Sequence, residues 1–282
     1  MFVDDYDYLT VVKKASEICQ NLVIEKIDDN TDLATMNGLI YLPNTNFYDP
    51  KMSDAVEIAQ VMREPLFEFR KTLNELIANG FNGKIILNSP HDEVFVYFAA
   101  YFSGLDVKKI IGIGTLAQEI ILRESLVKKF RVNGNDINVN TLGLNTKNLV
   151  AWSRVYIGPS PLLTYVANGN DDNDKEIISD LTTQLNDALI VTNPIIQAKA
   201  ISYLLNCLFK NQSLICSVTS VKKENDQFSL LLGPKLVNEI GIYHAINLQL
   251  SDDENEELDN NLKQATTIIE NIKKGKKDAK KD

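Results

Sequence analysis

The chain reads as an α/β protein: a run of parallel strands and crossover helices, followed by a second half in which helices and mostly antiparallel strands mix. Three observations predict this. Between residues 38 and 130 short apolar runs alternate with longer stretches of helical period, the pattern of a parallel sheet with right-handed crossovers. After Gly134 the period changes to short alternating segments separated by polar turns. Over the whole 282 residues, 44% apolar and 24% charged side chains match a globular chain of one large or two ordinary domains.

Gly38 to Pro43 is an apolar run stopped by a proline, as in a buried parallel strand. Residues Ser53 to Asn79 follow with helical period, and Pro65 is expected to kink or divide that helix. Lys84–Asn88 is the second strand, Asp92–Phe102 the next helix, closed by Ser103-Gly104. Val107–Gly112 is the third strand and leads through Gly114-Thr115 into a helix ending near Phe130.

In the second half, Ile137–Leu142 and Ala151–Ile157 alternate as strands, and a helix is expected from about Asn173 to Ala188. Another helix opens at Asn193-Pro194, a cap followed by a proline whose missing N–H costs nothing there. Strands are expected at Leu214–Val221, Gln227–Leu232 and Ile242–Leu248, the first two joined by the turn Lys223–Asp226. A helix from Ser251 to Ile272 starts on Asp252, Asp253 and Glu254, which suit its positive end.

Charge excludes several function classes. The last ten residues hold six lysines and two aspartates; without them the chain carries 23 basic and 36 acidic side chains, a net −13. Such a body repels a phosphate backbone, so no nucleic-acid binding is expected, and the lysine-rich end, 273–282, reads as a solvated terminus. No apolar run is long enough to span a bilayer and the acidic start does not resemble an export signal, so no membrane association and a cytoplasmic setting are expected. Cys19, Cys207 and Cys216 have no metal-ligand spacing and only two histidines exist, so no metal is expected.

Gly112-Ile-Gly114-Thr115 at a strand-to-helix turn has the outline of a phosphate loop, yet its third glycine reads Ala117 and it lies on the third strand. It reads better as a structural turn. Asn88-Ser-Pro-His-Asp92 ends a parallel strand, where ligands of open sheets collect, which makes Ser89, His91 and Asp92 candidate cleft residues. Side chains of neighbours such as His91 and Asp92 usually diverge. His244 and Trp152 read as a strand residue and a packing residue.

The residues Lys84 to Asp92, then Ser103-Gly-Leu105, then Ile110-Ile-Gly-Ile-Gly-Thr115 and Arg123 resemble the lactate/malate dehydrogenase family. That family carries a strand ending Asn-Pro-x-Asp, a Ser-Gly-Leu turn, and Gly-x-Gly-Thr followed by Leu-Asp-x-x-Arg-x-Arg. Gly233-Pro234 with Gly241-Ile242, and Leu250-Ser251 with Glu254 and Leu258, are similar to its C-terminal signatures. The resemblance runs over roughly residues 39 to 272. It implies an incomplete Rossmann-like sheet in residues 1–113 and a dehydrogenase C-terminal-like domain in 114–272.

The same resemblance implies site positions. The family's proton-transferring histidine falls on Asn145 in Gly143-Leu-Asn-Thr146, the aspartate that orients it on Gln118, and the carboxylate-binding arginine on Ile121; only the outer arginine remains, as Arg123. Asparagine exchanges no proton near neutral pH, Gln118 supplies no charge, and Ile121 removes the fork for a carboxylate. No glycine precedes Gly38, so the glycine-rich NAD loop and first strand–helix unit are expected to be missing. The implied function is a pseudoenzyme without NAD that acts by binding or association, as a homo-oligomer or with an active paralogue through the family's dimer surface. The alternatives are an atypical oxidoreductase acting on a small 2-hydroxy or 2-oxo acid, and a non-catalytic small-ligand binder in the cleft.

Overall fold

Apolar residues alternate across short strands and recur every three or four positions on the helices between them, and the sheet order follows from that. The computed structural model describes residues 32–168 and 172–278; the expectations for residues 1–31, Cys19 among them, lie outside these. Strands β1 (Gly38–Tyr41), β2 (Lys84–Leu87) and β3 (Ile110–Gly112) form a parallel sheet in the order β1-β2-β3. Between β1 and β2 run helices α1 (Ala55–Val61) and α2 (Arg63–Ala78), and α3 (Asp92–Ser103) joins β2 to β3.

The division between α1 and α2 falls at Met62, three residues before Pro65, which places the proline in the first turn of α2. Its ring would strike the carbonyl four residues earlier in a continuous helix, and a restart avoids that contact. The two faces of the sheet bury different cores. Ile85, Leu87 and Ile110 face α1–α3 and the terminal helix, where Phe69 and Phe95 meet Tyr41 with ring centroids 4.6 to 5.6 Å apart. Ile86 and Ile111 face the second half. The alternation is that of any pleated strand, with both faces covered as a parallel sheet requires.

Helix α4 (Leu116–Phe130) leads into the second half. There β4 (Ile137–Asn138) pairs with β7 (Tyr156–Ile157), and β7 with β8 (Ser160–Pro161); β5 (Thr141–Leu144) and β6 (Lys147–Val150) form a hairpin closed by Asn145-Thr146. The expected strand Ala151–Ile157 is therefore corrected: its first residues make a 3-10 turn, Trp152–Arg154, and only its end is extended. Helices α5 (Leu162–Asn168), α6 (Asp172–Leu185), α7 (Leu189–Thr192) and α8 (Pro194–Phe209) follow. Asn193 caps α8 by accepting from the N–H groups of Ile195 and Ile196.

The single strand expected over Leu214–Val221 is two. β9 (Leu214–Ser217) joins β12 (Pro234–Asn238) and β13 (Gly241–Ala245), whereas β10 (Ser220–Glu224) pairs with β11 (Gln227–Leu231) across Asn225-Asp226, both of positive φ. Strand β12 has no counterpart among the expected elements, because a proline followed by a lysine argues against a central strand. Here Pro234 occupies the first position, where no ladder donor is missed. The terminal helix α9 (Asp252–Asp278) opens on a capping box between Ser251 and Glu254 and runs into the lysine-rich end that was read as a solvated tail. Among the described residues no helix is long and apolar enough to cross a membrane.

Candidate functional site

The carboxyl ends of β2 and β3, the start of α3, the first turn of α4 and the tip of the β5–β6 hairpin converge. Each is placed by a local rule: α3 and α4 must begin where their strands end, and a two-residue loop holds Asn145 at the hairpin tip. Gly143 permits the hairpin, with φ +85 and a position where a Cβ would stand 2.6 Å from Asn261 Nδ2.

Four of the expected site residues form one buried hydrogen-bonded network, and a fifth, Asp92, lies beside it with other partners. The main-chain N–H of His91 donates to Asn145 Oδ1 at 3.1 Å, Asn145 Nδ2 donates to the Ser89 carbonyl at 2.7 Å, and Gln118 Nε2 donates to the Asn145 carbonyl at 2.7 Å. Both ends of the Asn145 amide are thereby committed to main chain. Ser89 turns its hydroxyl onto the Pro90 carbonyl at 2.9 Å. The fifth, Asp92, diverges from His91: its carboxylate accepts from the Gly114 N–H and, at 3.0 Å, from the Thr219 hydroxyl.

His91 instead meets Glu93, with Nδ1 3.2 Å from Oε1, and stands edge-on to the Tyr48 ring at 6.1 Å. Its backbone is left-handed, φ 58, at the N-cap of α3, a conformation histidine tolerates better than most residues. Glu93 Oε2 and Gln118 Oε1 are buried and have no hydrogen-bond partner among the described residues. The other two positions lie apart. Ile121 packs against the core of the second half, and Arg123 reaches back one turn to Glu119 at 3.2 Å, while the second oxygen of Glu119 accepts from Ser217 N–H at 3.0 Å.

Burial governs the electrostatics. It raises the Asp92 carboxyl to about 8, with the neighbouring Glu93 charge adding and the bonds from Gly114 and Thr219 opposing. Burial likewise raises Glu119 against the opposing pull of Arg123, and holds the Cys216 thiol well above its ordinary value. Lys235 is the residue that the sequence reading missed. Fully buried on β12, its ammonium donates to the carbonyls of Val218 at 2.6 Å and Gly233 at 2.8 Å, and burial lowers it to about 7. A signal existed: Lys235 shares its strand face with Val237, which is also buried.

The Gly112-x-Gly114 turn is occupied by protein. Gly112 exchanges both main-chain hydrogen bonds with Thr219, a Cβ on it would come within 2.6 Å of Asp92 Oδ2, and one on Gly114 would lie 2.7 Å from Thr219 N. The two glycines let segment 218–219 press onto β3, so this turn does not fit a pyrophosphate. Cys207 and Cys216 are buried and unpaired. His244 lies exposed on β13 beside Tyr243, and Trp152 packs on the core of the second half.

No family model matches the chain. L-lactate dehydrogenase 2 of Lactococcus lactis subsp. lactis (strain IL1403) is 24% identical to it over 216 residues, 72% of this chain and 68% of that protein. The L-lactate dehydrogenase of Shouchella clausii (strain KSM-K16) is 24% identical over 276 residues, 85% of this chain and 83% of that protein. Among solved structures, a lactate dehydrogenase from a Medee basin deep-sea metagenome library shares the fold at a TM-score of 0.77 and 17% identity, covering 95% of this chain and 86% of that one. The minor L-lactate dehydrogenase of Enterococcus mundtii in its ligands-bound form does so at 0.79 and 17%, covering 94% and 86%.

Proposed function

We propose that the chain, whose similarity to L-lactate dehydrogenases supports kinship with the lactate/malate dehydrogenase family, is a pseudoenzyme which neither binds NAD nor transfers hydride, and acts by binding or association. One observation carries the reading. Asn145, at the position the resemblance assigns to the family's histidine, holds its amide on the main chain of residues 89 and 91, Oδ1 accepting from one and Nδ2 donating to the other. An amide so held moves no proton. Gln118 donates to the same residue's carbonyl in place of an orienting acid, and Ile121, half-buried, packs against the core in place of a carboxylate fork.

The cofactor side supports the same reading. The Gly112–Gly114 turn is closed by Val218 and Thr219. The domain limits proposed are 1–113 for the Rossmann-like part and 114–272 for the C-terminal-like part. The proposed setting is the cytoplasm, and the proposed mode of action is self-association or pairing with an active paralogue through the family's dimer surface.

Calorimetric titration of the full chain with NADH, with and without pyruvate or oxaloacetate, tests this. No saturable heat and no NADH oxidation are expected. Micromolar binding strengthened by a 2-oxo acid would overturn the proposal.

The buried pair His91–Glu93 favours a second reading, an atypical oxidoreductase acting on a small 2-hydroxy or 2-oxo acid, in which a carboxylate orients a histidine. That reading expects turnover which His91→Ala abolishes. Turnover unchanged in the variant would remove His91 from any such role.

A further inference from the structure

Helices α2 and α9 leave a groove between them on the surface away from the Asn145 network. Its cavity of about 160 Å³ is lined by Arg63, Leu66, Phe67 and Arg70 of α2 and by Ile272 and Gly275 of α9. Arg63, Phe67 and Arg70 fall at i, i+4 and i+7, one stripe of the helix, with the two arginines about 10 Å apart along its axis at 1.5 Å per residue. Phe67 is 66% exposed, a large apolar ring left to solvent between two cations.

Both guanidinium groups are held in place. Arg63 lies on the backbone of α9 at Gly275, where a Cβ would stand 2.0 Å from its Nη2; any other residue there would displace the arginine. Helix α9 thus carries a glycine in its interior, at a cost of about 1 kcal/mol against alanine, at the one place where the arginine crosses it. Arg70 lies over the Phe102 ring at 4.9 Å. Neither arginine has a carboxylate within 4 Å among the described residues.

Cations left without acids are unusual on a chain whose net charge is −9. Two more stand on the same helix: Lys273, one residue after Ile272, lies over the Tyr97 ring at 4.4 Å, and Lys274 is exposed beside it. Glu64 and Glu68 of α2 stand on the adjoining face, outside the groove lining.

From this we infer that the α2–α9 groove is a docking site for an acidic peptide segment of a partner protein, one that sets an apolar side chain against Phe67 and Ile272 and carboxylates against Arg63 and Arg70. Charge complementarity selects an anion, and the chemistry of a fixed guanidinium fork suits carboxylates. Shape and overall charge select a peptide among anions. A bilayer or a nucleic-acid duplex is an extended anionic surface that would also meet the acidic body, whereas a peptide in the groove meets only the basic patch. The inference stands independently of the loss of catalysis, because none of its residues belongs to the Asn145 network.

The test is fluorescence anisotropy with the full chain and a labelled synthetic peptide of glutamates around a central leucine. Saturable binding that weakens with added salt is expected. Affinity should fall about tenfold in the double variant Arg63→Glu, Arg70→Glu, and measurably in Phe67→Ser, while Lys199→Glu on the distant helix α8 leaves it unchanged. All the changed side chains are exposed or half-exposed, and an unaltered thermal midpoint confirms that the variants fold. Equal weakening by Lys199→Glu, or no weakening by the arginine reversals, would overturn the proposal. So would tighter binding to phosphatidylserine vesicles or to single-stranded DNA through the same two arginines.

Discussion

Asp92→Asn and Lys235→Met will change the pH dependence of unfolding in opposite senses. Both groups are fully buried at the junction of α3, β3 and β12, and both titrate far from their ordinary values. Burial, with Glu93 adding, lifts the Asp92 carboxyl from 3.8 to about 8. Burial, partly opposed by Cys216 and Asp92 itself, lowers the Lys235 ammonium from 10.5 to about 7. A carboxyl whose folded pKa is raised contributes its full stability below 3.8 and loses it as pH climbs through 8. An ammonium whose folded pKa is lowered contributes fully above 10.5 and loses that contribution as pH falls through 7.

Asp92→Asn should therefore gain on the parent as pH rises from about 4 to about 8, and Lys235→Met should gain as pH falls from about 10 to about 7. With about 1.4 kcal/mol per pKa unit, each relative gain is expected to reach at least about 2 kcal/mol. The asparagine keeps the geometry: its carbonyl still accepts from Gly114 N–H and its amide donates to the Thr219 hydroxyl. Methionine fills the lysine stem and leaves the Val218 carbonyl without its ammonium, at a cost that does not vary with pH. Urea unfolding near pH 5, 7.5 and 10 reads both curves. Parallel pH profiles for parent and variants would refute the burial argument.

Gly241→Ala is expected to be more damaging than Gly104→Ala, although both glycines have positive φ. At Gly104, φ +69, nothing lies within 4 Å of an added Cβ, so the cost is that of a left-handed alanine, about 1 kcal/mol. At Gly241, φ +116, the Cβ would stand 2.0 Å from the Lys108 carbonyl oxygen and 2.9 Å from its carbon. Those are backbone atoms of the turn that feeds β3, and they cannot swing aside. Either β13 or that turn must move, and a loss of about 3 kcal/mol or more follows. Equal midpoints for the two variants in urea would show that the contact relaxes without cost.

The proposed roles divide the molecule. Around Asn145 the side chains bond to one another and to the main chain, which makes that network an internal brace between α3 and the β5–β6 hairpin. The unspent chemistry lies outside, where Arg63, Phe67 and Arg70 face solvent. A chain related to dehydrogenases and acting through association would use the second surface and keep the first as scaffold.

Much of this was legible from residue order. The apolar runs at 38–43 and 84–88 and the helical periods between them predict β1, β2 and their crossovers, because two buried faces demand apolar strands; of the strand expected over 107–112 only 110–112 is extended, residues 107–109 making a 3-10 turn. The Asn193-Pro194 cap and the acidic start of α9 were likewise readable, since capping is a local interaction. The residues at 118, 121 and 145 were visible as plain identities.

What escaped the reading depends on partners far away in the chain. The pairing of His91 with Glu93 rather than Asp92 was decided by Gly114 and Thr219, which draw the Asp92 carboxylate inward. The split of 214–221 into β9 and β10 was decided by β12 and β11, which claim its two halves for different sheets. Lys235, of a residue type rarely buried, is enclosed because β9 and the 218–219 segment close over it. Arg63 met Gly275 only once α9 had been laid against α2. By itself, then, the sequence determined the parallel sheet, its crossovers and which side chains stand at 118, 121 and 145, all properties of local period and side-chain identity. The tertiary structure alone decided which polar groups are buried, which partners satisfy them and where cations stand free, since burial and hydrogen bonding are settled by neighbours that residue order does not name.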